Sequence, residues 1–389
     1  MVKDSFSASA EQLVGIETAR DSDGHLGVPV KPAGGSIQPL QNVPLASFTT
    51  LGVGGPARIM VEATTEGHIL EALELGQKEG MPVFILGGGS NVLISDRGFP
   101  GLVLRIALRG VDANSGSSRG MVTAAAGEDW DSFVARIVSL DFAGIECLSG
   151  IPGTVGGTPV QNVGAYGQEV ADVITSVRVF DRESFAIQEM GANDCRFDYR
   201  SSIFNTSHQQ RYIVLSVTFM LRPGGKPSLE YTDLKRRLSD SPHEPTLSET
   251  RQLVLKIRGE KAMLLRPGDP DCKSAGSFFK NPTVSEESAR GVELIARNRG
   301  QLSASEFLPI YAVGAGKVKI PAAWLIEKAG FRKGYGRGRA GISSRHTLAI
   351  INRGAATADD IMQLAREIQA GVCGCFGIDL VLEPVLVGF

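Results

Sequence analysis

One glycine-rich run constrains this chain more than any other stretch: Ile151-Pro-Gly-Thr-Val-Gly-Gly-Thr-Pro-Val-Gln-Asn-Val-Gly-Ala-Tyr166. Gly153, Gly156, Gly157 and Gly164 stand in it among small side chains, with Pro152 and Pro159 as punctuation. A residue without Cβ lets backbone N–H groups approach a ligand closely and tolerates φ > 0. Successive N–H groups in such a loop form a concave nest for an anion such as a diphosphate. No long apolar face runs through the stretch, so core packing does not account for it. A long surface loop built of turns is the plainer alternative. A second glycine nest upstream, Leu86-Gly-Gly-Gly-Ser-Asn91, and a polar cluster downstream, Ser274-Ala-Gly-Ser-Phe-Phe-Lys-Asn-Pro282, favour a ligand.

A length of 389 residues suits two or three domains with a sizeable core. The hydrophobic share of 42% and charged share of 21% describe an ordinary globular protein. With 40 basic and 42 acidic residues the formal net charge is −2, which argues against a nucleic-acid partner. An anionic ligand would therefore be met by a few placed cations. The five cysteines are scattered, without a Cys-x-x-Cys, and the five histidines form no cluster, so no metal site is expected. Reduced thiols, no apolar signal core and no apolar run approaching the ~20 residues of a membrane span point to a cytoplasmic protein.

Residues 1–44 are rich in Ser, Gly, Pro and charge and read as a flexible N-terminal extension, with Ser36–Pro44 as linker. The folded part begins near Phe48. Strand-like Ala57–Ala63 precedes Thr65, an N-cap for a helix with Ile69, Leu70 and Leu73 on one face and Gly80 past its end. Strands are then expected at Pro82–Leu86, Val92–Ser95, Leu102–Leu108 and Met121–Ala126. Asp129 caps a helix carrying Trp130, Phe133, Val134 and Ile137. Beyond the main glycine run come strands at Val173–Phe180 and Ile213–Leu221, separated by the aromatic and basic stretch Cys195–Phe204.

Arg222-Pro-Gly-Gly-Lys-Pro227 marks a boundary. Domains of 45–222 (subdomains about 45–114 and 115–222) and 223–389 follow. In the second, Ser248–Met263 reads as a helix with an exposed basic face. Pro321 suits the first position of a helix over Ala322–Lys328, Leu348–Asn352 a strand, and Thr357 a capping box for a helix to about Gly371. Ile378–Gly388 is a last strand. The first nest lies between two strands, not between strand and helix, so a Rossmann fingerprint fails there. Gly336-Arg-Gly338-Arg-Ala-Gly341 has the wrong order as well. Strands and helices mix without a regular βα repeat, which makes an α+β protein.

Three residues invite chemistry. Glu383 interrupts an apolar strand, where a carboxylate costs free energy unless paired, protonated or useful; an edge position beside Pro384 is the alternative. Ser277 sits between Gly276 and two phenylalanines, as a proton donor or as a turn serine. Arg200 could clamp a carboxylate bidentately or lie solvated at the surface. Tyr231, Lys261 and Asn281 could serve a phosphate-bearing substrate, though each alone reads as surface.

Five motifs in order carry a resemblance: Gly87-Gly-Gly-Ser-Asn-Val-Leu93; Ile151–Gly157 with Gln161–Tyr166; Tyr199-Arg-Ser-Ser-Ile-Phe204; Ala275–Pro282; and Leu382-Glu-Pro384. Over residues 45–389 the chain resembles the UDP-N-acetylenolpyruvoylglucosamine reductases, flavoenzymes of peptidoglycan precursor synthesis. The resemblance implies a vanillyl-alcohol-oxidase-like FAD-binding domain of two α+β subdomains and a C-terminal α+β substrate-binding domain. It implies non-covalent FAD held by Gly87, Gly88, Gly89, Ser90, Asn91, Pro152, Gly153, Thr154, Gly156, Gly157, Gly164 and Ala165. It further implies that Ser277 donates a proton while Arg200 and Glu383 stabilise an enolic intermediate. Tyr199, Tyr231, Lys261 and Asn281 would hold the UDP-sugar, and Tyr231 would make this the tyrosine-loop type.

In such an enzyme NADPH reduces FAD, and hydride then passes to the enolpyruvyl group. A monomer without nucleic-acid or membrane partners is expected. An FAD-dependent oxidase with another substrate, or a non-catalytic flavin or nucleotide-sugar binding protein, are the alternatives; the Ser277, Arg200 and Glu383 set argues against both.

Overall fold

The computed structural model describes residues 28–29, 36–113, 120–238, 243–336 and 338–389. Alternation in Pro56–Ala63 produces strand β2, which pairs antiparallel with β1 (Leu40–Pro44). The Thr65 hydroxyl accepts from His68 N and starts α1 (Glu66–Lys78), whose Ile69 and Leu73 are buried. Strands β3 (Val83–Leu86), β4 (Val92–Ile94) and β5 (Phe99–Ile106) follow. One four-stranded sheet has the order β1-β2-β5-β3, with β5 parallel to both neighbours.

The second sheet uses β6 (Val111–Asp112), β7 (Met121–Ala125), β8 (Ile174–Asp181), β9 (Ala186–Gly191) and β10 (Tyr212–Met220). It is antiparallel throughout, in the order Val28–Pro29, β9, β8, β10, β7, β6. Asp129 accepts from Ser132 N to start α2 (Trp130–Ser139). Trp130 and Phe133 of α2 meet Phe219 of β10 at ring separations of 6.1 and 5.3 Å. These rings, Ile69 and Leu73 of α1 and Leu104 of β5 belong to one core, so the two sheets bury a common interior.

After the Arg222–Pro227 turn come α3 (Thr232–Leu238) and α4 (Leu247–Glu260), the latter opened by a Thr246–Glu249 capping box. A small sheet of β11 (Thr283–Ser285), β12 (Tyr311–Gly314) and β13 (Lys317–Lys319) brackets α5 (Glu286–Asn298). Helix α6 (Ala322–Lys328), hairpin β14 (Ala340–Ile342) and β15 (Ile350–Asn352), and α7 (Ala358–Phe376) share a second core. The chain ends with β16 (Val385–Val387).

Four expectations are corrected. Residues 40–44 are not linker: they form β1, because Leu40 and Gln41 find register partners in Met60 and Ile59. The remainder of the expected extension, residues 1–27 and 30–35, lies outside the described residues. The last helix does not stop near Gly371. There a Cβ would fall 2.4 Å from the Phe331 ring, so this glycine admits close packing, and α7 ends at Gly377 (φ 66) in the left-handed conformation. The basic face of α4 is not wholly exposed, since Arg258 retains only 5% exposure. The final segment is not one strand. Leu382 bridges Phe279, Pro384 carries no N–H, and β16 then runs parallel to β4 in a separate two-stranded sheet.

Candidate active site

The two glycine nests face each other. A Cβ on Gly88 would lie 2.6 Å from the Cα of Gly153, and one on Gly153 (φ 131) would lie 2.9 Å from Ser90 Oγ. Only residues lacking a side chain allow this approach. The downstream run is tied to the start of α2: Trp130 N donates to Gly153 O (3.1 Å), Val155 N to Glu128 O (2.9 Å) and Gly156 N to Ala126 O (2.8 Å). Asn91 Nδ2 joins the nests by donating to Gln161 Oε1, and it also donates to the Glu383 carbonyl at 3.2 Å.

A cavity opens between the nests. Gly87, Gly88, Gly89, Ser90, Asn91, Pro152, Gly153, Thr154, Gly156 and Gly157 line it, together with Trp130, Tyr212 and Val214. Gly164 and Ala165 stand apart, in a short hairpin with Gln168–Glu169. Gly164 O accepts from Arg200 Nη2 at 2.6 Å. An adjoining cavity extends from Gly87, Gly88 and Pro152–Thr154 to Arg105, Arg109 and Arg266. Backbone cradles that a Cβ would fill, apolar walls and adjoining guanidinium groups suit a dinucleotide with an anionic diphosphate.

Arg200 and Glu383 also line the cavity between the nests. Arg200 sits at the tip of a turn closed by Asp198 N to Ser201 O and its reciprocal bond, both 3.0 Å, and adopts φ 52. Its Nε stands 3.3 Å from Glu383 Oε1, with side-chain exposures of 21% and 13%. Burial pushes the Glu383 carboxyl above the usual carboxylate range, and the positive charges of Arg200 and Lys280 pull against it. Glu383 N donates at 3.0 Å to the carbonyl of Phe278, the residue that follows Ser277 in the chain. Ser277 itself does not line the cavity between the nests.

The four residues expected on the substrate form two groups outside that cavity. Tyr231 packs edge-on against Tyr166 at 5.3 Å, and Lys261 Nζ lies 5.8 Å from the Tyr166 ring centroid. Buried Arg258 reaches the Gly150 carbonyl (3.1 Å) and Met263 O (2.9 Å) and hydrogen-bonds Tyr166, tying α4 to both ends of the glycine run. In the other group Asn281 hydrogen-bonds Tyr199 and accepts from Ala322 N at 2.9 Å. The Lys319 ammonium sits 3.3 Å from the Tyr199 ring centroid. His346, Lys280, Lys319 and Arg258 escaped the sequence reading. A lone basic residue carries no local signal for burial, although Lys280 stood within the Ser274–Pro282 cluster. Among the described residues, no group of three or more His, Cys, Asp or Glu could hold a metal, and no helix is long and apolar enough to cross a membrane.

Fold and site together define an FAD-dependent oxidoreductase built on an α+β cofactor domain. Residues 57–184 match the FAD binding domain family, and residues 269–387 match the C-terminal domain of UDP-N-acetylenolpyruvoylglucosamine reductase. The chain is 46% identical to the UDP-N-acetylenolpyruvoylglucosamine reductase of Streptomyces avermitilis, over 90% of this chain and 96% of the relative. Identity to that of Saccharopolyspora erythraea is 43%, over 96% and 99%. The crystal structure of UDP-N-acetylenolpyruvylglucosamine reductase from Thermus caldophilus superposes with a TM-score of 0.59 at 26% identity, covering 90% of this chain and 99% of that one. The chain belongs to the UDP-N-acetylenolpyruvoylglucosamine reductase family.

Proposed function

We propose that Arg200, Ser277 and Glu383 carry the reduction of the enolpyruvyl group of UDP-N-acetylglucosamine-enolpyruvate to the lactyl ether of UDP-N-acetylmuramate. The observation that carries this reading is the half-buried Arg200–Glu383 pair lining a cavity built for a dinucleotide. FAD held between the two nests would supply the hydride chemistry, carrying a hydride from NADPH to the substrate's methylene carbon. Charge then develops beside the substrate carboxylate. The Arg200 guanidinium is held at fixed carbonyls of Asn162 and Gly164, so it meets that charge without reorganising. Burial favours the protonated form of Glu383, which lets its carboxyl donate a hydrogen bond toward the same oxygens. Ser277, which precedes the Phe278 carbonyl that accepts from Glu383 N, holds the proton that the carbon next to the methylene takes.

The nests hold FAD without a covalent bond, since no histidine lies in or beside them. Tyr199, Tyr231, Lys261 and Asn281 receive the nucleotide sugar. Division of labour follows a break at Arg222–Pro227, with a flavin domain over 45–222 to which β1 adds, and a substrate domain over 223–389 that lends β16 back to the flavin side. A cytoplasmic monomer fits the near-neutral charge and reduced thiols. Purified protein should be yellow, bleach anaerobically with NADPH and recover its colour on adding the enolpyruvyl sugar nucleotide. Colour that returns only with oxygen would point to an oxidase instead.

A further inference from the structure

Arg200 is a non-glycine residue with φ 52 at the tip of a two-residue turn. Side chains rarely settle in that conformation unless their surroundings hold them there. The guanidinium is fixed at three points, namely the carbonyls of Asn162 and Gly164 and the carboxyl of Glu383. The backbone of the turn is fixed separately. Its carbonyl accepts from Asn205 Nδ2 at 3.2 Å, within the same domain, and from Lys280 Nζ at 3.3 Å, from the other domain.

Lys280 is itself held in register. Its N–H donates to Val381 O at 2.9 Å, Phe279 bridges Leu382, and Glu383 N closes the ladder on Phe278 O. The segment that bears Lys280 is therefore hydrogen-bonded to the segment that bears Glu383, and both residues line the same cavity as Arg200. We propose that Lys280 is a positioning residue: it pins the left-handed turn that carries Arg200 and places a second positive charge before the Glu383 carboxyl. The proposal rests on the roles given above to Arg200 and Glu383.

The charged and titratable groups around Glu383 are Arg200 and Tyr199 from the turn and Lys280 from the bridged segment, with the Asn91 amide on its carbonyl. Burial and the two cations oppose each other at this carboxyl. Removing one cation leaves burial less opposed, so the ionisation of Glu383 moves to higher pH. Lys280→Met removes both the hydrogen bond and the charge; Lys280→Arg keeps the charge.

The test uses the flavin-loaded, full-length enzyme. Flavin absorbance per protein confirms that each variant is folded, and kcat is followed across pH for wild type, K280M, K280R and E383Q. Loosening the turn should slow K280M turnover by about 10–100-fold, the loss expected when a reacting group is misplaced by about an ångström. The limb of the profile that E383Q abolishes should move to higher pH in K280M and stay near its wild-type position in K280R. A limb lost in E383Q but unmoved in K280M overturns this proposal and leaves the reading of Glu383 intact. A limb that survives E383Q overturns the role of Glu383, and this proposal with it. Should K280M lose its flavin, K280R alone decides: a limb displaced despite the retained charge counts against the proposal, and an unmoved limb with turnover within a few-fold of wild type supports it.

Discussion

The Nε of Arg200 lies 3.3 Å from Oε1 of Glu383, although one residue belongs to a turn before β10 and the other to the last eight residues of the chain. Neither side chain is more than about a fifth exposed, at 21% and 13%. A buried pair of this kind adds little to stability, because desolvation offsets much of the attraction. Its value lies in placement. The guanidinium also donates to carbonyls of Asn162 and Gly164 in the glycine run, so one residue ties that run to the Glu383 carboxyl.

Ser277→Ala separates the two half-reactions. A proton donor to the substrate has no part in flavin reduction, and a positioned general acid contributes ~10²–10⁴-fold to its own step. The variant should bleach with NADPH at a near-normal rate and turn over the enolpyruvyl substrate at least about 100-fold more slowly. Anaerobic stopped-flow absorbance and steady-state assays read the two rates. Equal slowing of both would assign Ser277 to holding the flavin.

Gly88→Ala places a methyl 2.6 Å from the Cα of Gly153, backbone against side chain, where no rotamer relieves the contact. The nests must separate, and FAD content per protein should fall by at least about tenfold, equivalent to ~1.4 kcal/mol. The ratio of flavin to protein absorbance after gel filtration measures it. A fully yellow variant would show that the nests have room to spare.

His346 titrates at about 4, well below 6.5, because burial disfavours its cation and Lys261, Lys333 and Arg258 repel it. Its unfolded form takes up a proton near 6.5, whereas the folded form does so only near 4. Stability from the neutral imidazole is complete above pH 6.5 and is lost as pH falls toward 4. Replacing His346 by Gln should flatten the fall of Tm across that window and leave Tm at pH 8 within a degree or two. An unchanged slope would place the acid sensitivity in other groups.

Truncation distinguishes the extension from β1. Removing residues 1–35 takes away, among the described residues, only the two-residue edge strand Val28–Pro29 on β9, and should leave flavin content and activity close to those of the full chain. Removing residues 1–44 deletes β1 and exposes the edge of β2, and Tm should drop by several degrees. Calorimetry of both truncations decides. Equal Tm values would mean that β1 contributes nothing measurable.

Much of the architecture was legible because it depends on neighbours a few residues apart. Thr65, Asp129 and Thr357 cap helices as expected, since a side-chain oxygen satisfies an N–H three residues on wherever the chain folds. Strands over Pro56–Ala63, Ile174–Asp181 and Tyr212–Met220 followed from β-branched and apolar runs. The glycine nests announced a close backbone approach, because nothing else requires so many residues without Cβ.

By itself, then, the sequence determined the caps, most strands, the two nests and the order of the motifs. Only tertiary structure decided that Gly371 continues a helix against Phe331, that β16 returns to β4, and that Arg258 is buried beneath the glycine run. It also decided that Lys280 reaches the carbonyl of Arg200. Each of these is a contact between segments far apart in the chain, whose geometry follows from how whole sheets and helices pack. Local preference extends over a few residues, and a glycine, an arginine or a lysine has the same local preference whether it faces water or a partner.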